Sequence, residues 1–325
     1  MELELKLTRR DALLGGGAAA AAGIAGLSVP AWAAAPLTGP ATPGFYRVKL
    51  GEFEVTSVTD GFVQLDGPQP IFAEGQPEAD VAKLMADNLL PAKRMEISFT
   101  PVIVNTGKQL ILFDTGNGAG QRATAGKLVQ NMAAAGFKPE NVDIVVLTHC
   151  HGDHIGGLMA GDKPVFPNAR YVIGEAEYQF WSAPERLSGA TEQNAKLVAK
   201  NVTPLKDKMT FIKPGGEVAP GVTAVEAFGH TPGHLAFNIE SGGKRLFAWM
   251  DSAHHPVISL QQPDWTLRFD MDKDKAAAVR KRIYDMAATD KTAVHGFHMP
   301  LHGFGFVEKT AAAYRWVPAT YQLTL

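Results

Sequence analysis

The segment Thr148-His149-Cys150-His151-Gly152-Asp153-His154 sets three imidazoles and a carboxylate within six residues. Imidazole and carboxylate together suit zinc and other borderline first-row cations. His149 and His151 are two apart, so an extended backbone turns both to one side. Asp153 and His154 open the next helix and can face a second ion. Four such groups in H-x-H-x-D-H order read as a metal site rather than as scattered surface histidines. Cys150 alternates away from its neighbours and reads as a small buried residue, not a ligand or nucleophile.

Three further groups share this chemistry. Gly229-His230-Thr231-Pro232-Gly233-His234 lies in a loop between two strands, and Asp251 closes the strand Leu246 to Met250. His295, His298 and His302 form a C-terminal set. Each falls at a strand end, where a loop-borne site belongs. The elements that must position them follow from patterning. Asp143 to Thr148 is a β-branched run expected as a buried strand. Thr100 to Asn105 and Gln109 to Asp114 form a hairpin around Thr106-Gly107-Lys108. Helical spacing covers Glu78 to Leu90, Thr124 to Ala135, Glu175 to Trp181 and Lys273 to Ala288. Strands interspersed with helices and hairpins predict an α/β domain of sheets covered by helices.

The chain has 325 residues, 46% hydrophobic and 20% charged, which excludes a disordered or fibrous protein. Its 31 basic and 33 acidic residues leave a formal net charge of −2, so no basic surface suggests a nucleic-acid partner. Cys150 is the only cysteine, so no intramolecular disulfide can form. Thr8-Arg9-Arg10-Asp11-Ala12-Leu13-Leu14 is a twin-arginine pattern, followed by an uncharged Ala/Gly-rich run and Ala31-Trp32-Ala33. Residues 1–33 therefore read as a signal peptide for twin-arginine export, removed before Ala34. The expected result is a periplasmic or secreted protein with no stable membrane association. Residues 34–44 read as a flexible segment and 45–325 as one domain.

Taken with Leu112-Phe113-Asp114-Thr115-Gly116, these clusters make the chain resemble the metallo-β-lactamase-fold hydrolase superfamily from about Phe45 onward. The resemblance implies a four-layer αββα sandwich with a dinuclear site at one edge. It assigns His149, His151 and His230 to a first ion and Asp153, His154 and His298 to a second, with Asp251 bridging them. It prefers His230 to His234, and His298 to His295 and His302. Asp114 is implied to support the metal loops. The cofactor expected is two divalent ions, zinc foremost, although Mn, Co or Fe would suit the same ligands.

Phe166-Pro167-Asn168-Ala169, Glu175-Ala176-Glu177 with Phe180-Trp181, Thr266-Leu267-Arg268-Phe269-Asp270 and Tyr314-Arg315-Trp316-Val317-Pro318 resemble an exported branch that includes methyl parathion hydrolase and lactone or aryl-ester hydrolases. That branch implies hydrolysis of a small neutral ester, lactone or phosphotriester by a metal-bridging hydroxide. Asp153, Asp251 and His254 are the residues expected at the reaction itself. Acyl-homoserine-lactone hydrolases of this fold carry tyrosine three residues after the bridging aspartate, where this chain has His254. That departure weighs against a dedicated quorum-quenching role. The alternatives are a zinc β-lactamase and an iron-dependent redox enzyme of the same fold. The diiron flavoprotein type carries Glu where this chain has His151. Phe72, Phe180, Trp181 and Trp265 are candidates to line an apolar pocket. The Lys273 to Arg282 charge run reads as a solvated helix face. A homodimer is compatible with the sequence.

Overall fold

Strands buried on both faces read as unbroken apolar runs, and central strands of the two main sheets here are such runs. The computed structural model describes residues 37, 39, 41–319 and 323–325, so the expected signal peptide lies outside the described residues. Among those residues no helix is long and apolar enough to cross a membrane. The first half of the chain forms β1 (Phe45–Leu50), β2 (Phe53–Val58), β3 (Gly61–Leu65), β4 (Met95–Phe99), β5 (Val102–Asn105), β6 (Leu110–Phe113) and β7 (Ile144–Leu147). Then come β8 (Met159–Ala160), β9 (Lys163–Pro164), β10 (Arg170–Gly174) and β11 (Met209–Ile212). The second half supplies β12 (Glu217–Ala219), β13 (Val222–Glu226), β14 (Leu235–Ser241), β15 (Lys244–Ala248), β16 (Ala293–His295), β17 (Phe304–Lys309) and β18 (Tyr314–Pro318). One seven-stranded sheet runs β1-β2-β5-β6-β7-β10-β11 and the other runs β12 to β18 in order.

β7 shows why the sheets pack as they do. Ile144 and Val146 point into a core shared with Val222, Phe237 and Leu246 of the second sheet, whereas Val145 and Leu147 point outward. The outward face packs against Leu128 and Met132 of the helix Leu128–Ala134, Trp181 of Glu175–Ser182 and Val198 of Glu192–Asn201. On the far side, Phe247 and Trp249 meet Val279, Ile283 and Tyr284 of the helix Lys273–Thr289. The layers are helix, sheet, sheet, helix, an αββα sandwich.

The topology brings the chemistry to one edge. β6 and β7 are parallel, as are β15 and β16, so each pair delivers its carboxyl ends side by side. Asp114 follows β6, the histidine-rich segment follows β7, Asp251 follows β15 and His298 follows β16. The sheets are tied together at this edge, where Leu235 N–H donates to the Thr148 carbonyl at 3.0 Å and Thr100 N–H to the Phe297 carbonyl at 3.0 Å.

Two local expectations are corrected. The helix expected over Thr124–Ala135 begins only at Leu128. Gly126 has φ +84°, outside the helical region, and Asp60 accepts from the Gly126 and Leu128 amides, holding the preceding turn open. The helix expected over Glu78 to Leu90 ends at Asp87, with Leu89 at φ +59°. β3 and β4 pair with each other across the intervening helix. The alternation Met95, Ile97, Phe99 was the available signal for β4.

Candidate metal centre

A histidine can ligate a cation only through a nitrogen that carries a lone pair, and its other nitrogen decides which one that is. His154 Nδ1 lies 2.7 Å from Asp114 Oδ2, so the carboxylate holds the proton there and Nε2 is left free. His230 Nδ1 lies 2.9 Å from Asp270 Oδ1, and His298 Nδ1 lies 2.9 Å from the Ser98 carbonyl. Both rings therefore also present Nε2. His149 Nε2 and His230 Nε2 converge on His151 Nδ1 at 3.1 and 2.9 Å.

Asp251 lies between two groups of ligating atoms. Its Oδ2 is 3.4 Å from His230 Nε2, 3.7 Å from His149 Nε2 and 3.3 Å from His298 Nε2, while Oδ1 is 3.3 Å from His154 Nε2. Asp153 Oδ2 stands 3.5 Å from His298 Nε2 and 3.7 Å from His154 Nε2. The ligand atoms of His149, His151, His230 and Asp251 lie within 4.8 Å of one another, and so do those of Asp153, His154 and His298. His154 Nε2 and Asp251 Oδ1 are buried with no hydrogen-bond partner among the described residues. Unpaired polar atoms facing one another in a buried cluster are costly unless a cation satisfies them, and this donor set fits borderline divalent ions.

The electrostatics favour the ligating forms of Asp251, His149 and His151, whereas the carboxylates around His154 and His230 outweigh burial and hold those two rings toward protonation until a cation replaces the proton. Burial pushes the Asp251 carboxyl up, but the surrounding histidines, His154 first, outweigh it and hold it well below the usual carboxylate range. Burial holds His149 and His151 well below the usual imidazole value, in the neutral form a metal needs. At His230 burial is outweighed by Asp251 and Asp270, which raise it to about 9.

The remaining histidines separate clearly. His234 uses both nitrogens on the backbone: Nδ1 on the Ala227 carbonyl at 2.9 Å, Nε2 accepting from Asp251 N–H at 3.3 Å. It shapes the loop and has no free lone pair for an ion. His302 stacks on Tyr46 at 4.5 Å, and His295 is buried against Phe304. Neither belongs to the ligating groups among the described residues. His254 is buried, with Nε2 3.1 Å from Asp251 Oδ2 and its ring stacked on His298 at 5.3 Å. His254 is therefore part of the buried cluster around Asp251. Asp114 is fully buried at φ +60° and also accepts from the Thr148 amide and hydroxyl. It ties β6 to the β7 end while orienting His154.

Of the aromatic candidates, Phe72 and Trp181 are buried, Phe72 in the small cluster around Met85 and Ile97. Trp181 makes a T-shaped contact with His151, ring centroids 6.4 Å apart, and Phe180 stacks under Arg186 at 4.0 Å. Trp265 packs on the Phe72 cluster. Phe269, 51% exposed, sets its ring centroid 6.4 Å from that of His151.

Three residues that spacing did not single out complete the site. Asp270 backs His230, and burial pushing its carboxyl up is outweighed by His230 and Arg280, which hold it down at about 2. Arg280 donates to Asp270 Oδ2 at 2.8 Å and to the Ser252 carbonyl at 3.2 Å. This corrects the reading of the Lys273 to Arg282 run as solvated: Arg280 is 3% exposed. It shares a helix face with Ala276, Val279, Ile283 and Ala287, all buried, and that periodicity was the signal for it. Glu177 is fully buried under the two loops that carry His149, His151 and His230.

Gly233 is required where that loop crosses the helix Glu175–Ser182. A Cβ there would lie 2.2 Å from Glu177 N. Gly233→Ala is expected to cost about 1–3 kcal/mol by overpacking, read as a lower thermal midpoint. An unchanged midpoint would refute the close fit.

Comparison with known proteins agrees with this geometry. The metallo-beta-lactamase superfamily model matches residues 100–247. The solved structure of AidC, a dizinc quorum-quenching lactonase in complex with a product, superposes with TM-score 0.79 at 30% identity, covering 86% of this chain and 98% of that one. The chain belongs to the metallo-beta-lactamase superfamily. Its described fold is accordingly that of the superfamily. The hydrolase AbOPH shares the fold at TM-score 0.80 and 24% identity, covering 87% of this chain and 100% of that one. An N-acyl homoserine lactonase of Bacillus cereus is 28% identical over 172 residues, 53% of this chain and 62% of the relative. The lactonase AttM of Agrobacterium fabrum is 27% identical over 133 residues, 39% of this chain and 47% of the relative. The matched span thus covers about half of these curated relatives.

Proposed function

We propose that the chain is an exported metal-dependent hydrolase of lactones and related neutral esters, with two divalent ions, zinc foremost, as its cofactor. One observation carries the reading: Asp251 stands between His149, His151 and His230 on one side and Asp153, His154 and His298 on the other. Bound at these residues, the ions would lower the pKa of a shared water and polarise a substrate carbonyl or phosphoryl oxygen. The chain's own contribution is preorganisation. Asp114, Asp270 and the Ser98 carbonyl lock three imidazoles with Nε2 inward, so no ring has to turn when the ligands are used. Buried Trp181 and Phe297 exclude water from behind the cluster, while Asp153 keeps 21% of its side chain exposed on the open side. Phe269 offers apolar surface there for a substrate body. His254 brings a hydrogen-bonding ring against Asp251, and its Nδ1 has no partner among the described residues.

Lactones rank first because AidC, 30% identical over nearly its whole length, is a dizinc lactonase. Aryl esters and phosphotriesters rank after them and rest on the sequence resemblance alone. His254 stands where homoserine-lactone hydrolases were expected to carry tyrosine, so acyl-homoserine lactones are one lactone class among several to test. The twin-arginine pattern and the Ala31-Trp32-Ala33 site support export of the folded chain.

The test uses protein recovered from the periplasm, whose intact mass should start at Ala34. Its metal content is measured, with turnover of dihydrocoumarin, N-hexanoyl-homoserine lactone, p-nitrophenyl acetate, methyl paraoxon and nitrocefin before and after chelation. Two ions per chain and chelator-sensitive lactone turnover would support the proposal. Turnover of nitrocefin alone would move the reading to a β-lactamase, and activity indifferent to chelation would end it.

A further inference from the structure

Glu177 is a buried carboxylate that the proposed chemistry does not use. It lies on the helix Glu175–Ser182, outside every ligating group, yet it accepts four hydrogen bonds. Oε1 accepts from Cys150 N–H at 2.9 Å and from Trp181 Nε1–H at 2.8 Å. Oε2 accepts from the Thr231 hydroxyl at 2.7 Å and from Gly233 N–H at 2.9 Å. Cys150 lies between His149 and His151, and Thr231 follows His230. One oxygen thus holds the loop after β7, and the other holds the loop between β13 and β14. The two loops belong to opposite sheets. The missing Cβ of Gly233 is what lets the second loop reach this carboxylate.

The pattern is one-sided. Among the described residues Glu177 makes no hydrogen bond to the segments bearing Asp251 or His298, and the ring of His154 is held by Asp114 instead. We infer that Glu177 is the positioning residue of one ion site only, His149–His151–His230, and that it acts by clamping the backbone of both loops that build it. This rests on the dinuclear reading of the centre. The physical reason is that a carboxylate can accept from four donors at once, whereas an amide replaces one acceptor oxygen with a donor nitrogen. Glutamine would therefore face at least one backbone N–H with an N–H of its own, and one loop would be released.

The test is zinc affinity, measured on the full mature chain by competition with a chromophoric chelator and independent of any substrate. Cobalt absorption of the His230→Ala and His298→Ala chains supplies the signature of each site. Glu177→Gln should weaken the His149–His151–His230 site about 10–100-fold, the cost of losing an outer support, and leave the other site unchanged. Asp114→Asn, which loosens the ring of His154, should weaken the Asp153–His154–His298 site more than the other. Thr231→Val removes one of the four bonds without touching the carboxylate, and should weaken the same site by a smaller factor; it decides the matter if Glu177→Gln does not fold. Equal weakening of both sites, or none, would overturn the inference while tight wild-type zinc binding leaves the functional proposal standing. A wild-type chain that takes up no zinc would overturn both.

Discussion

Asp251→Ala is expected to lower turnover of the best lactone substrate by at least about a thousandfold, the upper range for removing one preorganised charge-stabilising group. The expectation comes from its position. One carboxylate oxygen lies 3.1 to 3.7 Å from the Nε2 atoms of His149, His230, His254 and His298, and the other lies 3.3 Å from that of His154. Among the described residues no other carboxylate reaches the Nε2 atoms of both groups. Alanine would leave Asp153 as the one carboxylate among the proposed ligands. Metal content should fall below two ions per chain, and part of the thermal stability should go with it. A ligand that binds only the folded state adds about 2.7 kcal/mol at a hundredfold excess over Kd. Chelation of the wild-type chain should therefore lower its thermal midpoint, and Asp251→Ala should blunt that response. Wild-type turnover and metal content in the variant would sink the dinuclear reading.

Arg280→Met is expected to cost about 3–5 kcal/mol, the usual penalty for leaving one partner of a buried ion pair unpaired. Arg280 NH2 sits 2.8 Å from Asp270 Oδ2, and both side chains are almost fully buried. The same guanidinium donates to the carbonyls of Ser252 and Pro263, so its loss also frees the backbone beside Asp251. Activity should fall together with stability, because Asp270 would no longer be held against His230. The combined Asp270→Asn, Arg280→Met chain removes both charges. It should recover about 0.5–3 kcal/mol relative to the sum of the single changes, the range for contacting residues. Denaturant unfolding of the four chains measures this directly. Additive losses would show that the pair is not coupled.

The candidate histidines and aspartates were legible in the sequence because ligation depends on side-chain type and short spacing, while the choice of these seven came from the resemblance. H-x-H-x-D-H is a local statement, and so is the placement of histidine and aspartate at strand ends. That helices cover the sheets was legible for a related reason, since runs such as Ile144–Leu147 are apolar on both faces and lie between two layers; the four αββα layers came with the resemblance.

The choice among neighbouring histidines was not decided locally. His230 and His234 have the same side chain and share one loop. They differ because Asp270 claims Nδ1 of one, while Ala227 and Asp251 claim both nitrogens of the other. Asp270 is forty residues from His230, Arg280 twenty-eight from Ser252 and Glu177 fifty-six from Gly233. A hydrogen bond has no sequence period when its partners come from different elements, so these supports carry no pattern that spacing can reveal. The sequence by itself determined which atoms could hold the ions. The tertiary structure decided which lone pairs are free to do so, because that depends on what is packed behind each ring.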